Sequence, residues 1–224
     1  MHPDIQSDKD KKIVPENQAF SASAITVATV IVLVFAKSVA LAYSGSTAVL
    51  SALMDSLSDI GLSVMTLLAI RWSMKPADED HRYGHGKVEA IAALLQAAVL
   101  LGGGSFLLME ALNRFLHPSA INNHVFTLFL MGFSVLLSAI ISIVQKITVK
   151  RTGSLALEAD SMHYSSDIAI NGAVFLVVLI DYIGWAAPWV DPLCALVVAG
   201  LMARSSLNIA EKSFGMLMDK ELDE

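Results

Sequence analysis

Six apolar runs, each about 20–25 residues long, constrain this chain more than any other feature. They lie at about Ala19–Ala42, Thr47–Trp72, Val88–Leu112, Val125–Thr148, Leu155–Ile180 and Trp189–Ala210. A helix of ~20 residues crosses the ~30 Å hydrocarbon layer of a bilayer. In lipid every backbone polar group must be satisfied internally, so runs of this length read as membrane-spanning helices. The balance of residues agrees. Of the 224 residues, 55% are hydrophobic and 16% charged, against about 25% charged in a soluble domain. The expected fold is therefore an all-α membrane protein of six transmembrane helices.

Loop charge sets the orientation, because Lys and Arg gather on the cytosolic side. Of the 15 Lys and Arg, 13 lie in the N-terminal stretch, the 2–3 loop, the 4–5 loop and the C-terminal end, counting those at span ends. Only Arg114 lies in the 3–4 loop, and the 1–2 and 5–6 loops have none. Both termini are expected in the cytosol. Residues 1–18 would form a cytosolic tail, 19–212 the six-helix transport domain and 213–224 a short cytosolic tail. No cleavable signal peptide is expected, since Met1–Asn17 is polar and the apolar run after it is too long for a signal segment. The single cysteine, Cys194, rules out a multi-thiolate metal centre.

Two short pairs interrupt the apolar runs: Asp55 with Asp59 in the second span, and His163 with Asp167 in the fifth. Each pair has helical i, i+4 spacing, so both members share one helix face. A charge at bilayer depth costs at least about 2.5–3.5 kcal/mol, and lipid offers nothing to offset it. The two faces must therefore meet each other, water or a cation. Their depths match: Asp59 lies 13 residues before Trp72 and Asp167 lies 12 residues after Leu155, both counted from the cytosolic side. Three carboxylates and one imidazole make a tetrahedral set for Zn²⁺ at about 2.0–2.2 Å. The mixed oxygen and nitrogen set also admits Cd²⁺, Co²⁺, Mn²⁺ or Fe²⁺. With no thiolate the ion is held reversibly, and His163 can exchange metal for a proton. Ser56, Ser58, Ser165 and Ser166 flank the pairs as packing residues or as donors to the ligands. Asn171 continues the same face. Asp160, three residues before His163, is expected to line the cytosolic mouth.

A second candidate site lies in the polar 2–3 loop. Asp78, His81 and His85, spaced by three and four residues, make a three-ligand Zn²⁺ set if the loop turns them to one side. His117 and His124, in the outer 3–4 loop without a nearby carboxylate, are not expected to bind metal. Gly102-Gly103-Gly104 in the third span permits close backbone approach, within one protomer or between two.

These residues resemble the cation diffusion facilitator family of divalent metal exporters. The resemblance rests on Ser44-Gly45-Ser46-Thr47-Ala48-Val49-Leu50 with Asp55-Ser56-Leu57-Ser58-Asp59. It continues in Pro76-Ala77-Asp78 through His81 to Tyr83-Gly84-His85-Gly86-Lys87, and in Glu158-Ala159-Asp160-Ser161-Met162-His163 with Asp167. It implies secondary active export of Zn²⁺, or Cd²⁺, from the cytosol in exchange for protons. It also implies a homodimer in the bilayer, a bacterial inner-membrane location and no cofactor beyond the transported ion. By the same resemblance, Asp55, Asp59, His163 and Asp167 match the transport site, and Asp78, His81 and His85 the second site. The sequence departs from the family where most members continue into a cytosolic α/β domain, because it stops at Glu224. The expectation is a short member whose dimer is held by membrane contacts. An Mn²⁺ or Fe²⁺ exporter of the same fold, a passive cation channel and a membrane metal sensor are the alternatives. An intramembrane metalloenzyme is disfavoured, since there is no His-Glu-x-x-His and three carboxylates leave the metal little Lewis acidity. No feature suggests nucleic-acid binding.

Overall fold

The structure, a computed structural model, describes residues 5–44, 47–116, 124–184 and 189–220. Six helices occupy nearly all of them: α1 (Ile5–Ser44), α2 (Thr47–Ser73), α3 (Lys87–Leu116), α4 (His124–Thr152), α5 (Leu155–Tyr182) and α6 (Val190–Leu217). Among the described residues there is no strand. Among the described residues five segments are long and apolar enough to cross a membrane: Asn17–Phe35, Lys87–Leu116, Thr127–Thr152, Leu155–Tyr182 and Val190–Leu217. The remaining helix, α2, has 27 residues, about 40 Å at helical rise, and carries the acidic pair. Large apolar side chains such as Phe35, Phe106, Phe129, Leu136 and Leu201 are more than half exposed. A protein surrounded by lipid needs such an exterior, whereas water would make it an aggregation surface.

Two helices outrun their apolar segments. α1 begins at Ile5, inside the stretch expected as a polar tail, and runs through Pro15. α6 continues to Leu217, five residues past the expected end of the membrane domain.

The chain packs as two units, Met1–Ala93 with Val144–Asp160, and Leu94–Ile143 with Ser161–Glu224. In the first, small residues let helices approach closely. Ala19 and Ala22 of α1, Ala69 and Ile70 of α2, Ala92 of α3 and Ala156 and Leu157 of α5 form one buried cluster, with Phe20, Met65 and Val149 against it. Among the buried groups of this unit is a polar chain. The Gln145 side-chain amide donates to Asp160 Oδ2 at 2.5 Å and to Thr26 Oγ1 at 3.2 Å. The Ser63 hydroxyl donates to Asp160 Oδ1 at 3.4 Å. Gln145, Asp160 and Ser63 are all 0% exposed, so α1, α2, α4 and α5 meet at these groups.

The second unit is built on Leu100, Val198 and Met202, with Leu107, Ile170 and Ala173 packed against them. Here the glycine run has its use. A Cβ at Gly104 would lie 3.2 Å from Met202 Cβ and 3.5 Å from the Ala199 carbonyl, so Gly104 allows α3 and α6 of the same protomer to touch. Ser206 seals the contact by donating to the Ala97 carbonyl at 2.6 Å. Further along α3, Arg114 joins Glu110 at 2.9 Å and Asp191 of α6 at 2.7 Å.

Candidate metal centre

The link between α2 and α3 is short and folded on itself, and its local bonds explain how three candidate ligands come together. The Asp78 carboxylate accepts the His81 backbone N–H at 2.6 Å. The Asp78 N–H donates to the His81 carbonyl at 3.3 Å, and the Gly84 N–H donates to the same carbonyl at 2.9 Å. Gly84 has φ +80°, a conformation that glycine adopts without steric cost, and it turns the chain so that His85 returns toward Asp78. His81 Nδ1 then lies 3.0 Å from Asp78 Oδ1, and His85 Nε2 lies 3.5 Å from Asp78 Oδ2. The two imidazole rings are 4.4 Å apart between centroids. One ligand atom from each of Asp78, His81 and His85 lies within 4.8 Å of the others. Ligand atoms around tetrahedral Zn²⁺ at about 2.0–2.2 Å are roughly 3.3–3.6 Å apart, so a modest contraction completes the set.

Electrostatics favour a ligand state here. The His81 backbone N–H, opposed by desolvation and aided by the His81 and His85 side chains, holds the Asp78 carboxyl below its usual value. The carboxylate is therefore ionised at neutral pH and available as an oxygen ligand. His85 is 14% exposed in its side chain, and its buried Nδ1 has no hydrogen-bond partner. A buried ring nitrogen left unsatisfied is costly, and Nε2 is the ring atom turned toward Asp78 and free to bind an ion there. The double replacement His81→Ala with His85→Ala is expected to lower the bound metal count by one ion per protomer in an equilibrium titration. An unchanged count would leave these as ordinary loop histidines.

The intramembrane candidates lie on α2 and α5. Asp59 is partly buried on α2. Asp55 sits one turn away on the same helix, and its side chain is outside the described residues. On α5, His163 Nε2 approaches Asp167 Oδ2 to 3.7 Å, with side chains 18% and 23% exposed. The i, i+4 spacing has thus turned an imidazole and a carboxylate toward one another on one face, within reach of a shared ion. The expected supporting groups behave differently. Ser58, Ser165 and Ser166 donate to backbone carbonyls one turn back, at 3.2, 2.8 and 3.0 Å, as hydroxyls in membrane helices commonly do. Asn171 donates to the Asp167 carbonyl oxygen at 2.8 Å and so braces the backbone of α5 next to this candidate ligand. Asp160, expected at the cytosolic mouth, is instead fully buried under Gln145 and Ser63. Its small side chain fits among the alanine-rich contacts, and two neutral donors satisfy it there.

Two residues were not singled out from the sequence. Gln145 is an amide near the cytosolic end of its span, beside Lys146, where a polar side chain gives no sign of being buried. Glu89 is an acid in the first turn of α3 that reaches two other helices.

Comparison with known proteins adds an independent line. Residues 23–218 match the model of the cation efflux transmembrane domain. A protein named cation-efflux pump FieF from Shewanella oneidensis is 38% identical over 203 residues, which cover 91% of this chain and 68% of that protein. The protein of the same name from Escherichia fergusonii is 34% identical over 180 residues, covering 80% and 59%. That from Salmonella arizonae is 32% identical over 204 residues, covering 91% and 66%. The chain thus spans about three-fifths to two-thirds of the length of these relatives.

Proposed function

The chain belongs to the cation efflux family, and from that premise we propose that it exports a divalent transition-metal ion from the cytosol in exchange for protons. Asp55, Asp59, His163 and Asp167 are the ligands of the transported ion, within a multi-pass protein of the bacterial inner membrane.

The observation that supports this reading is the register of α2 on the start of α5. Ser63 meets Asp160, and Ala69 and Ile70 share a cluster with Ala156 and Leu157, so the two helices run antiparallel. Asp59 is four residues before Ser63, about 6 Å further along α2 at 1.5 Å per residue. His163 and Asp167 are three and seven residues beyond Asp160, about 4.5 and 10 Å further along α5. Asp55 is about 12 Å from Ser63 on the same count. Counted along each helix from the Ser63–Asp160 contact, the acidic pair of α2 and the pair of α5 thus follow at similar spacings.

The donor set favours Zn²⁺, with Cd²⁺ next and Mn²⁺ or Fe²⁺ behind, since one imidazole and three carboxylates suit a borderline ion in tetrahedral geometry. Empty, the site holds up to three negative charges in a low-dielectric setting and takes up protons instead. Metal and protons thus compete for the same atoms, which is the physical basis of exchange. A flux assay in proteoliposomes tests it. An imposed proton gradient is expected to drive Zn²⁺ movement against its own gradient, and a protonophore to stop it. Flux indifferent to the pH gradient would sink the exchange reading in favour of a passive cation channel.

A further inference from the structure

We propose that Glu89 is a positioning residue for the intramembrane ligands: its carboxylate sets the start of α5 against the end of α2. The proposal rests on the four-ligand reading above.

Two other chain segments converge on this one side chain. Oε1 accepts the Ser73 hydroxyl, in the last residue of α2, at 2.7 Å. Oε2 accepts the Ser154 hydroxyl at 2.6 Å and the Ala156 N–H at 3.5 Å, both at the start of α5. Ser154 in turn accepts the Leu157 N–H at 3.3 Å and so caps α5. The first N–H groups of a helix have no internal partner, and the helix dipole favours negative charge there. Glu89 supplies that charge from another helix. Bonds to an ionised acceptor are about twice as strong as neutral ones, so the grip is firmer than apolar packing alone provides.

The placement gives the grip a consequence. α2 carries Asp59 and α5 carries His163 and Asp167. Besides the apolar cluster, polar clamps among the described residues hold α2 to α5, two of them being Ser63 with Asp160, and Ser73 with Ser154 through Glu89. They are ten residues apart on α2, about 15 Å. One clamp fixes a point of contact, and two separated along the axis also fix sliding and tilt. Loosening the Glu89 clamp, on the cytosolic side, lets α5 pivot about Asp160, and the ligands three and seven residues beyond it move with the helix. A shift of the order of an ångström is enough to spoil a coordination set. Glu89 also stands one turn after His85, and its N–H bonds the Gly86 carbonyl at 3.2 Å, so the clamp adjoins the loop candidate.

Co²⁺ titration followed by visible absorption tests this, because tetrahedral Co²⁺ has an intense signature that stability alone does not change. All variants carry His81→Ala and His85→Ala, so that only the intramembrane site reports. Glu89→Ala is expected to weaken Co²⁺ binding tenfold or more and to lower the absorption at saturation. Glu89→Gln, whose amide oxygen still accepts the Ser154 hydroxyl but without the charge, is expected to fall between the parent and Glu89→Ala, and binding as weak as in Glu89→Ala or weaker would overturn the proposal. If Glu89→Ala does not yield folded protein, Ser154→Ala removes one arm and is expected to weaken binding about threefold. Parental affinity and spectrum in whichever of these two is measured, at any melting temperature, would overturn the proposal. Asp59→Asn on the same background separates the two readings. If it leaves Co²⁺ bound as in the parent, the four-ligand reading fails and takes this proposal with it. If it abolishes binding while Glu89→Ala does not weaken it, the role of Glu89 alone is lost.

Discussion

Replacing Asp59 by alanine is expected to lower metal flux at least a hundredfold while leaving the protein folded. Loss of a group that merely orients a ligand costs about 10–100-fold in metal affinity, and loss of a ligand costs more. Asp59 is partly buried on α2, one turn from Asp55, and the proposed site takes it as a ligand. Its removal takes one oxygen and one negative charge from a set that needs both to hold a divalent ion. It also removes a charge that is expensive at bilayer depth, so stability is expected to be unchanged or slightly raised. The measurement is Zn²⁺ flux into proteoliposomes by a fluorescent indicator, alongside thermal unfolding of the same preparation. Retained flux in folded protein would move the transport site elsewhere.

The largest loss of stability is expected at Asp160. Its carboxylate is 0% exposed and accepts from the Gln145 amide and the Ser63 hydroxyl. Asp160→Ala removes the acceptor and leaves those donors buried, which costs about 1–3 kcal/mol for each group left unsatisfied. Thr26 still takes part of the Gln145 amide, so the net loss is expected near 2–3 kcal/mol. For a chain of this length that is about 5–10 °C in the melting temperature. Asp160→Asn keeps one acceptor oxygen and is expected to lose about half as much. Thermal unfolding in detergent checks both. A variant Asp160→Ala that melts with the wild type would remove this residue from the packing account.

Much of this was legible before any coordinates. Hydrophobic runs of bilayer length leave little choice of secondary structure, so the helices matched the runs to within a few residues at most ends. The exceptions, the start of α1 and the end of α6, are polar continuations where hydropathy falls silent. His163 with Asp167, and Asp78 with His81 and His85, were legible because their partners lie within one or two turns of chain. Asp160 and Glu89 were not. Their partners are 15 and 97 residues away for Asp160, and 16 and 65 away for Glu89. Nothing local distinguishes a buried acid held by distant donors from one lining an aqueous mouth.

The division follows from the range of the forces involved. Hydropathy and i, i+4 spacing act along one helix, and by themselves they determined an all-α membrane protein with charged pairs turned to single faces. Only tertiary packing decided that Gly104 serves a contact between α3 and α6, that Gln145 and Ser63 satisfy Asp160, and that Glu89 caps a helix other than its own. Each of these depends on which helix lies beside which, and neighbours in a bundle are chosen by small residues and by buried groups finding distant partners.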